Sequence, residues 1–455
     1  MKQIQFSADI FQNIIPAQEF SVGEKYRFLH YVVKQQVAEG TLIYNVLTRN
    51  MILMELSENI DDADIKKYLV QNYFLVPEDF DDLNFEKQSK AIYKLIKKNN
   101  EFVNLFTIFT TTDCNARCYY CFEKGVVKKK MSNDTALKVA QYIKDKSNGY
   151  KARIRWFGGE PLFNLSVIDL ISQKLIDFHI EYESTMTSNG YLFDENIIQR
   201  AKDLWNLSFV QITLDGTHER YRRAKAFIYK DPNPLERVLH NIELLLEAGI
   251  RVDIRMNFSK QNASDLLELV ELIGKRFGYN ELLHLYSRPI YETIGPTKGE
   301  KSNEQRREIY EARMKIENGI NELGYGLRKK LSKDLMLNSC MADSDHAVVI
   351  LPDGKLTKCE HYSDTESFGD IFNNTVDNDV LNRFKEVIPD FDSCKTCPLH
   401  PVCINLKMCT EHTYCFPERR RESIDRTKTC MLNTYKQFVN KKKLEKEDDG
   451  TELQC

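Results

Sequence analysis

The sequence predicts an α/β protein with a mostly parallel sheet at its centre and smaller domains on either side. Between Phe102 and about Arg288, strand-like segments alternate with amphipathic helical segments, and both flanks lack this alternation. Strands separated by helices pair in parallel, either as a partial barrel or as an open doubly wound sheet. In both arrangements, catalytic groups collect at the carboxyl ends of the strands.

The composition is that of a globular chain long enough for several domains. Of 455 residues, 42% are apolar, and 64 basic against 67 acidic residues leave a formal net charge of -3. This balance gives no global field that would favour nucleic acid or an anionic membrane as a partner. The first residues lack the apolar run of a signal peptide, and no segment approaches the length of a membrane span. The sequence therefore predicts a cytoplasmic protein.

The first 98 residues predict a small mixed domain. Residues 25–54 alternate as short strands do, with a hairpin that turns near residues 48–50. Helical periodicity follows at residues 61–72, and Pro77 interrupts the next segment. Residues 83–100 are expected to form a helix that leads into the next domain.

The central domain is predicted for residues 99–305. Its six strand-like segments are FVNLFTIF, ARIRWF, STMT, SFVQITL, RVDIRMN and LLHLYSR. The helical segments between them are SNDTALKVAQYIKDK, LSVIDLISQKLIDF, DENIIQRAKDL, NPLERVLHNIELLLEAG and ASDLLELVELIGKRFG. A further helical pattern near residues 303–324 predicts a connector, assigned to residues 306–335.

The last third of the chain loses long periodic runs. Residues 336–440 combine short strands, turns and cysteines, which indicates a domain organised by metal rather than by a large apolar core. Residues 441–455 are strongly charged and are predicted to be a disordered tail.

Eleven of the twelve cysteines are clustered, three of them in the segment CNARCYYC and eight between residues 340 and 430. In a reducing compartment, such clusters favour metal binding or catalysis over disulfides. The spacing of Cys114, Cys118 and Cys121 also fits one helix face, which leaves a buried apolar stripe as an alternative. However, the segment directly follows a strand and has polar neighbours, which favours a loop. Three thiolates suit zinc or an iron-sulfur cluster and leave one coordination position open.

A second motif, GGEP, ends the next predicted strand. Gly158 and Gly159 allow backbone to approach a ligand closely, and Glu160 offers an anionic acceptor for an ammonium group. A tight turn without a ligand is the alternative interpretation.

Together, CNARCYYC, GGEP, TSNG at residues 187–190 and TLDG at residues 213–216 resemble the radical S-adenosylmethionine (SAM) superfamily over roughly residues 103–290. The resemblance implies a partial (β/α)6 TIM-like barrel. It also implies a 4Fe-4S cluster held by the three cysteines of CNARCYYC, whose fourth iron is chelated by SAM.

The same resemblance implies the residues that contact SAM. An aromatic side chain lies beside the adenine, the GGEP motif holds the methionine amino end, and an arginine meets the carboxylate. These roles fall to Tyr120, Gly158, Gly159, Glu160, Asn189, Thr213 and Arg222, the last in an HxxxR spacing with His218. Arg255 competes with Arg222 for the carboxylate.

The remaining clustered cysteines resemble the SPASM extension of peptide-modifying radical enzymes. The resemblance implies a first auxiliary 4Fe-4S cluster on Cys340, Cys359, Cys409 and Cys415, and a second on Cys394, Cys397, Cys403 and Cys430. This chain departs from the pattern at Lys407, where a cysteine is expected, so the open or closed state of the first cluster is undecided. A zinc domain is the alternative, since CxxC pairs also bind zinc.

The resemblance implies a maturase of ribosomally synthesised and post-translationally modified peptides (RiPPs). Such an enzyme, similar to sactisynthases or ranthipeptide synthases, forms cysteine thioethers in a precursor peptide. Glu360 stands where some relatives have an acidic residue near the substrate, and it could accept a proton.

The first 98 residues resemble a winged-helix element that captures a leader peptide by strand addition; a structural cap is the alternative. An external flavodoxin-like or ferredoxin-like protein is the expected electron donor. Formylglycine formation, carbon-carbon crosslinking and a zinc-binding peptide adaptor are the alternative functions.

Overall fold

The computed structural model describes residues 1–5, 15–97, 102–259, 261–290, 303–326, 329–333, 340–362, 366–373, 375–409, 415 and 417–449. Among these residues, no helix is long and apolar enough to cross a membrane. The predicted mixed α/β architecture is confirmed, with most of its strands in one large sheet.

In residues 1–5 and 15–97, the N-terminal domain contains two antiparallel sheets and two helices. The strands are β1 (Lys2–Gln5), β2 (Tyr26–Phe28), β3 (Val32–Val37), β4 (Gly40–Asn45), β5 (Met51–Glu55) and β6 (Leu75–Pro77), and the helices are α1 (Ala63–Gln71) and α2 (Asp82–Lys97). One sheet has the order β1-β5-β4-β3, and β2 pairs with β6. The predicted hairpin is present as β4 and β5. Its turn is fixed by the buried side chain of Asn45, which accepts hydrogen bonds from the backbone N–H groups of Leu47 and Thr48.

The central domain has the predicted alternation of strands and helices. Its strands are β7 (Leu105–Thr111), β8 (Ala152–Gly158), β9 (Tyr182–Ser188), β10 (Leu207–Thr213), β11 (Arg251–Phe258) and β12 (Leu283–Pro289). The helices are α3 (Asn133–Ser147), α4 (Leu165–Asp177), α5 (Glu195–Asp203), α6 (His218–Lys225), α7 (Pro234–Glu247) and α8 (Ala263–Phe277). All neighbouring strands from β7 to β12 are parallel. Only α6 was not predicted.

Along each central strand, successive side chains alternate between the face of the sheet that packs against the helices and the opposite, inner face. On β8, Ala152, Ile154 and Trp156 are fully buried in the main apolar core, whereas Arg155 and Phe157 are only half-buried. The period of two places successive side chains on opposite faces of the sheet. Polar side chains at the inner positions are therefore available to a site.

The C-terminal part extends the central sheet. It contains α9 (Asn303–Glu322), β13 (Ala347–Ile350), β14 (Lys355–Thr357), β15 (Gly369–Asp370), β16 (Thr375–Val376), α10 (Asn378–Arg383) and α11 (Pro417–Asp449). Strand β13 pairs in parallel with β7, from Ala347 opposite Leu105 to Ile350 opposite Ile108. This pairing produces one sheet with the order β12-β11-β10-β9-β8-β7-β13-β14-β15-β16. The cysteine-rich segment is thus joined edge to edge with the barrel.

The structure corrects the prediction of a disordered tail from residue 441. Helix α11 continues to Asp449, so most of that segment is helical, and residues 450–455 lie outside the described ranges. Earlier in the same helix, Met431 is buried in a core that α11 shares with the N-terminal sheet. The charged composition of residues 441–449 does not reveal that they continue a helix anchored in this way.

A second contact joins the cysteine-rich domain to the N-terminal domain. His400 lies between Glu86 of α2, 2.6 Å from its Nδ1, and Asp390, 3.0 Å from its Nε2. Hydrogen bonding to Glu86 raises the pKa of His400. Burial raises the pKa of Glu86, but His400 and Lys90 outweigh it and lower the pKa overall. The raised pKa of His400 favours its protonated form and the lowered pKa of Glu86 favours its ionised form, so both shifts favour an ionic contact between the domains.

Candidate active site

The candidate site is a cavity of about 940 Å³ at the carboxyl ends of the central strands. The loop after β7 forms one wall, the inner faces of β8 to β12 form the floor, and the cysteine-rich domain closes the far side. Six cysteines line this single cavity: Cys114, Cys118, Cys121, Cys340, Cys359 and Cys409. The two predicted cysteine motifs therefore share one enclosed space.

The segment CNARCYYC is a loop, which removes the alternative of a helical apolar stripe. Its entry is fixed by Thr112, whose backbone N–H donates to the Lys129 carbonyl at 2.9 Å and whose hydroxyl donates to the Val127 carbonyl at 2.7 Å. Its middle is fixed by the Arg117 N–H, which donates to the Lys225 carbonyl at 2.8 Å. These bonds hold the three thiols at the end of β7.

Burial makes these thiols poor acids while no cation is bound. Burial raises the pKa of Cys114 to about 12 and that of Cys121 to about 11, and it also raises the pKa of Cys118. Ligand thiols must lose their protons on binding a metal, so cluster binding would release protons here. The Asn189 amide lies 3.7 Å from Cys114 Sγ, which places TSNG beside CNARCYYC as predicted.

The chemistry of these donors fits an iron-sulfur cluster. Three thiols and no carboxylate come from one loop, and thiolates are the usual ligands of such clusters. Among the described residues, no three His, Cys, Asp or Glu side chains are grouped closely enough to hold a single metal ion. Cys114, Cys118 and Cys121 are the residues that would hold a cluster, and their loop leaves a fourth position to another ligand.

The two glycines of GGEP allow a close approach of backbone to backbone. A Cβ on Gly158, whose φ is 121°, would lie 2.1 Å from the Thr111 carbonyl oxygen, and one on Gly159 would lie 2.3 Å from the Asp113 carbonyl oxygen. Both glycines also line the cavity, where they were predicted to face SAM. Their first role is therefore to bring β8 against the start of the cysteine loop.

Glu160, which was predicted to hold the methionine amino end, is fully buried and is not among the residues that line the cavity. Its fully buried carboxylate accepts hydrogen bonds from the Ser188 hydroxyl at 2.9 Å, the Asn189 N–H at 2.8 Å and the Leu162 N–H at 3.2 Å. Burial raises its pKa to about 7. The carboxylate thus connects the ends of β8 and β9, and its effect on a ligand acts through Asn189.

Tyr120 lines the cavity and belongs to a buried polar network that the sequence did not reveal. Its hydroxyl bonds to the Asp215 carboxylate, and Lys225 Nζ lies 2.9 Å from that carboxylate and 3.1 Å from the tyrosine oxygen. The side chains of Asp215 and Lys225 are 2% and 3% exposed. Lys225 was missed because it follows the arginines of HERYRRAK, a pattern typical of a solvated face.

Arg222 was predicted to meet the SAM carboxylate, and the structure places it elsewhere. It lies on the exposed side of α6, paired with Glu219 at 2.8 Å, and does not line the cavity. Arg255 does line the cavity, as do Thr213, Arg155 and Arg288. The short segment between TLDG and α6 turns Arg222 outward, which favours the competing candidate on β11.

The second thiol group comes from the cysteine-rich domain. Cys340, Cys359 and Cys409 pack around one small apolar cluster with Phe384 and Leu406. Burial, Glu360 and the two neighbouring thiols all raise the pKa of Cys359. Glu360 lines the cavity directly after Cys359, as its prediction as a proton acceptor requires.

The third thiol group contains Cys394, Cys397 and Cys403, which were predicted to bind one cluster together with Cys430. Burial and the nearby thiols of Cys415, Cys397 and Cys394 raise the pKa of Cys403 to about 11. Cys430 lies on α11, where burial raises its pKa and Lys329 and Arg426 lower it. Cys415 thus lies within electrostatic reach of Cys394, Cys397 and Cys403, and the predicted role of Cys430 as a ligand of this group stays a prediction.

Comparison with known proteins agrees with this geometry. Residues 108–273 match the family model described as the radical SAM superfamily. A GTP 3',8-cyclase of Clostridium perfringens (strain SM101 / Type A) is 25% identical over 298 residues, which cover 62% of this chain and 88% of that protein. A GTP 3',8-cyclase of Helicobacter pylori (strain ATCC 700392 / 26695) is 25% identical over 291 residues, covering 59% and 84%.

Solved structures show a similar fold. The structure of native anSMEcpe with bound AdoMet has a TM-score of 0.53 at 15% identity and covers 74% of this chain and 98% of that chain. Streptococcus suis SuiB has a TM-score of 0.50 at 15% identity, with 83% and 94% covered. The radical SAM family binds a 4Fe-4S cluster and SAM, and the cavity presents the thiols for the first. The chain therefore contains a radical SAM domain, which the family model places at residues 108–273.

Proposed function

We propose that this enzyme forms cysteine thioether crosslinks in a ribosomally synthesised precursor peptide. One observation carries the proposal: thiols of the radical SAM loop and of the cysteine-rich domain line the same cavity. A peptide bound there meets both sets of groups at once. Proximity of this kind lowers the entropic cost of joining two reacting groups.

The reaction balances with one C–S bond formed. When bound, the cluster and SAM supply a 5'-deoxyadenosyl radical that takes a hydrogen atom from a peptide carbon. The cysteine thiol of the peptide would give its proton to Glu360 and its sulfur would bond to that carbon. The electron released would pass to the auxiliary cluster that Cys340, Cys359 and Cys409 would hold. The C–H and S–H bonds are thus replaced by one C–S bond. Tyr120, Thr213 and Arg255 line the cavity and orient the reactants, while the protein excludes water.

Glu360 is the proposed acceptor of the thiol proton. It lines the cavity and lies close enough to Cys340 and Cys359 to raise the pKa of both. A carboxylate within reach of an incoming thiol can act as a general base.

We assign the two remaining thiol groups to auxiliary 4Fe-4S clusters. Cys340, Cys359 and Cys409 supply three ligands on the cavity wall, which leaves a position open towards the peptide. Cys394, Cys397, Cys403 and Cys415 supply four ligands away from the cavity. Their mutual effects on pKa support this grouping, because such effects require proximity.

The N-terminal domain is the proposed binding site for a leader peptide. Strand β3 is one edge of the antiparallel sheet, and β4 is its partner there. Its alternation places Lys34 and Gln36 in solvent and buries Val33. An edge strand can bind an extended peptide through main-chain hydrogen bonds. The contact between His400 and Glu86 holds this domain against the cysteine-rich domain.

Co-expression with a cysteine-containing candidate peptide, followed by mass spectrometry, tests the proposal. A thioether removes two hydrogens from the peptide and makes one cysteine resistant to alkylation. An unmodified peptide across all candidates encoded beside the gene would contradict the assignment. The control is the Cys118→Ala variant, which should yield unmodified peptide.

Formylglycine formation is the second candidate. The likeness to anSMEcpe favours it, since that protein was also solved with AdoMet and the Cp18Cys peptide, with a TM-score of 0.51. The same mass spectra separate the two reactions. Formylglycine formation from cysteine removes the sulfur and leaves an aldehyde, whereas a crosslink retains the sulfur.

A further inference from the structure

Helix α6 and the segment after it present a cationic surface outside the cavity. We define the α6 face by its exposed residues Arg117, Arg222, Arg223, Ile228, Tyr229 and Lys230. Residues 217–230 contain five basic residues and one acidic residue, although the whole chain has a net charge of -3. One of the five, Lys225, is buried against Asp215. The charge of this segment is therefore set by Glu219 and the exposed basic residues Arg220, Arg222, Arg223 and Lys230, and Arg117 adds a further positive charge to the α6 face.

This face lies directly behind the thiols of the radical SAM loop. The Lys225 carbonyl, at the end of α6, is 3.9 Å from Cys118 Sγ, and it also accepts the Arg117 N–H. The Ile228 N–H donates to the Asn115 carbonyl at 2.9 Å, which fixes the following segment against the same loop. The end of α6 therefore contacts the loop that carries Cys118.

The α6 face also has an ordered apolar centre. Ile228 is 49% exposed and Tyr229 is 39% exposed. The Tyr229 ring stacks on Tyr191, with centroids 5.2 Å apart and planes at 15°. The Tyr191 N–H donates to Asn189, whose amide reaches Cys114 Sγ. An apolar centre within a charged rim is the usual arrangement of a protein docking surface.

We propose that the α6 face docks a small acidic electron-transfer protein that reduces the radical SAM site. The positive rim attracts an acidic partner and speeds its encounter. One electron leaves the reduced carrier, which is oxidised by one electron, and enters the site, where it is consumed in the reductive cleavage of SAM. This inference requires only the radical SAM domain and does not depend on the crosslinking reaction.

The test compares two charge-reversal variants of the full chain. Arg223→Glu/Lys230→Glu alters the α6 face, while Arg200→Glu/Lys202→Glu alters the last turn of α5 by the same charge. The control is matched, because Arg200 and Arg223 are both exposed and both pair with one carboxylate. Deoxyadenosine formation is measured without peptide, with reduced flavodoxin or with dithionite as the reductant. Binding of oxidised flavodoxin is measured by calorimetry.

We expect the α6-face variant to lose about tenfold in rate with flavodoxin at low salt, because electrostatic steering contributes roughly 10- to 1000-fold to association. The loss should shrink at high salt, which screens the charges. Calorimetry should show weaker binding for this variant alone, and rates with dithionite should match those of the unaltered enzyme.

Equal flavodoxin rates and affinities for the two variants would overturn the proposal. So would an equal loss with dithionite, since the defect would then not concern docking. Arg223→Gln/Lys230→Gln provides a milder version of the same test if charge reversal impairs folding. A failed crosslinking assay leaves these measurements unaffected.

Discussion

The geometry of the cysteine loop depends on how closely two segments of backbone approach at single glycines. A Cβ on Gly159 would lie 2.3 Å from the Asp113 carbonyl oxygen, directly before Cys114. Backbone cannot yield as a side chain does, so the cysteine loop itself must move. The glycines of GGEP thus fix the position of the loop whose cysteines would hold the cluster.

Gly159→Ala should therefore lower iron occupancy of the first site. The clash should cost about 1–3 kcal/mol, as overpacking of a tight site does. Iron per chain and deoxyadenosine yield, measured after anaerobic reconstitution, are the readouts. Gly319→Ala is the control, because its Cβ would meet only a flexible leucine side chain at 3.2 Å. Full iron content in Gly159→Ala would contradict this account.

Lys225 should be essential to the stability of the site. Lys225→Met leaves the buried Asp215 carboxylate without its cation, and breaking a buried ion pair costs about 3–5 kcal/mol. The midpoint of urea unfolding should fall clearly. The double variant Asp215→Asn/Lys225→Met removes both charges and should recover much of the loss. A single variant as stable as the unaltered protein would show that the pair is not stabilising.

At the residue scale, the sequence predicts which residues lie near the cavity but not the direction in which each side chain points. Motif spacing placed Cys114, Tyr120 and Thr213 at the cavity, because residues at the ends of parallel strands converge. It could not show that Glu160 points into the protein or that Arg222 points outward. Those orientations depend on the length of one loop and on a helix, α6, that the sequence did not predict.

At the scale of elements, helix α11 fixes the position of Cys430. Its Met431 is buried in the core shared with β3 and β4, and Cys430 precedes it. The helix therefore holds Cys430 near Lys329 and Arg426. A pattern of cysteine spacings contains no information on the direction of a helix face, so it could not separate Cys415 from Cys430.

Cys415→Ala and Cys430→Ala should therefore differ in iron content. We expect the first to lose the iron of one cluster, like the positive control Cys397→Ala, and the second to retain it. Iron and sulfide per chain, with the electron paramagnetic resonance signal of the reduced protein, provide the measurement. Loss of a cluster in Cys430→Ala together with full iron in Cys415→Ala would restore the predicted ligand set.

At the scale of the whole molecule, the cysteine-rich domain completes the barrel sheet. Strand β13 covers the edge of β7 from Leu105 to Ile108. The alternation of strands and helices predicted the order of the central strands because apolar periodicity is local. Pairing of β7 with a strand more than 200 residues away is non-local, and no local pattern indicates it.

A fragment of residues 99–305 should aggregate, because it leaves the edge of β7 unpaired. Phe106 and Ile108 on β7 are buried in the full chain. An apolar strand whose edge becomes exposed associates readily with other strands. Size-exclusion chromatography of this fragment should show large species. The fragment of residues 99–440 retains β13 and should contain less aggregate. A monodisperse 99–305 fragment would show that β13 is dispensable.

The most direct test of the proposed crosslinking uses the variant Cys340→Ala/Cys359→Ala/Cys409→Ala. The quantity to measure is the ratio of crosslinked peptide to deoxyadenosine. These thiols line the cavity of the radical SAM loop but belong to another domain. If the two sets act on one peptide, the unaltered enzyme forms both products together. The variant should still form deoxyadenosine while the crosslink is lost. Crosslinked peptide at the unaltered yield would contradict the account.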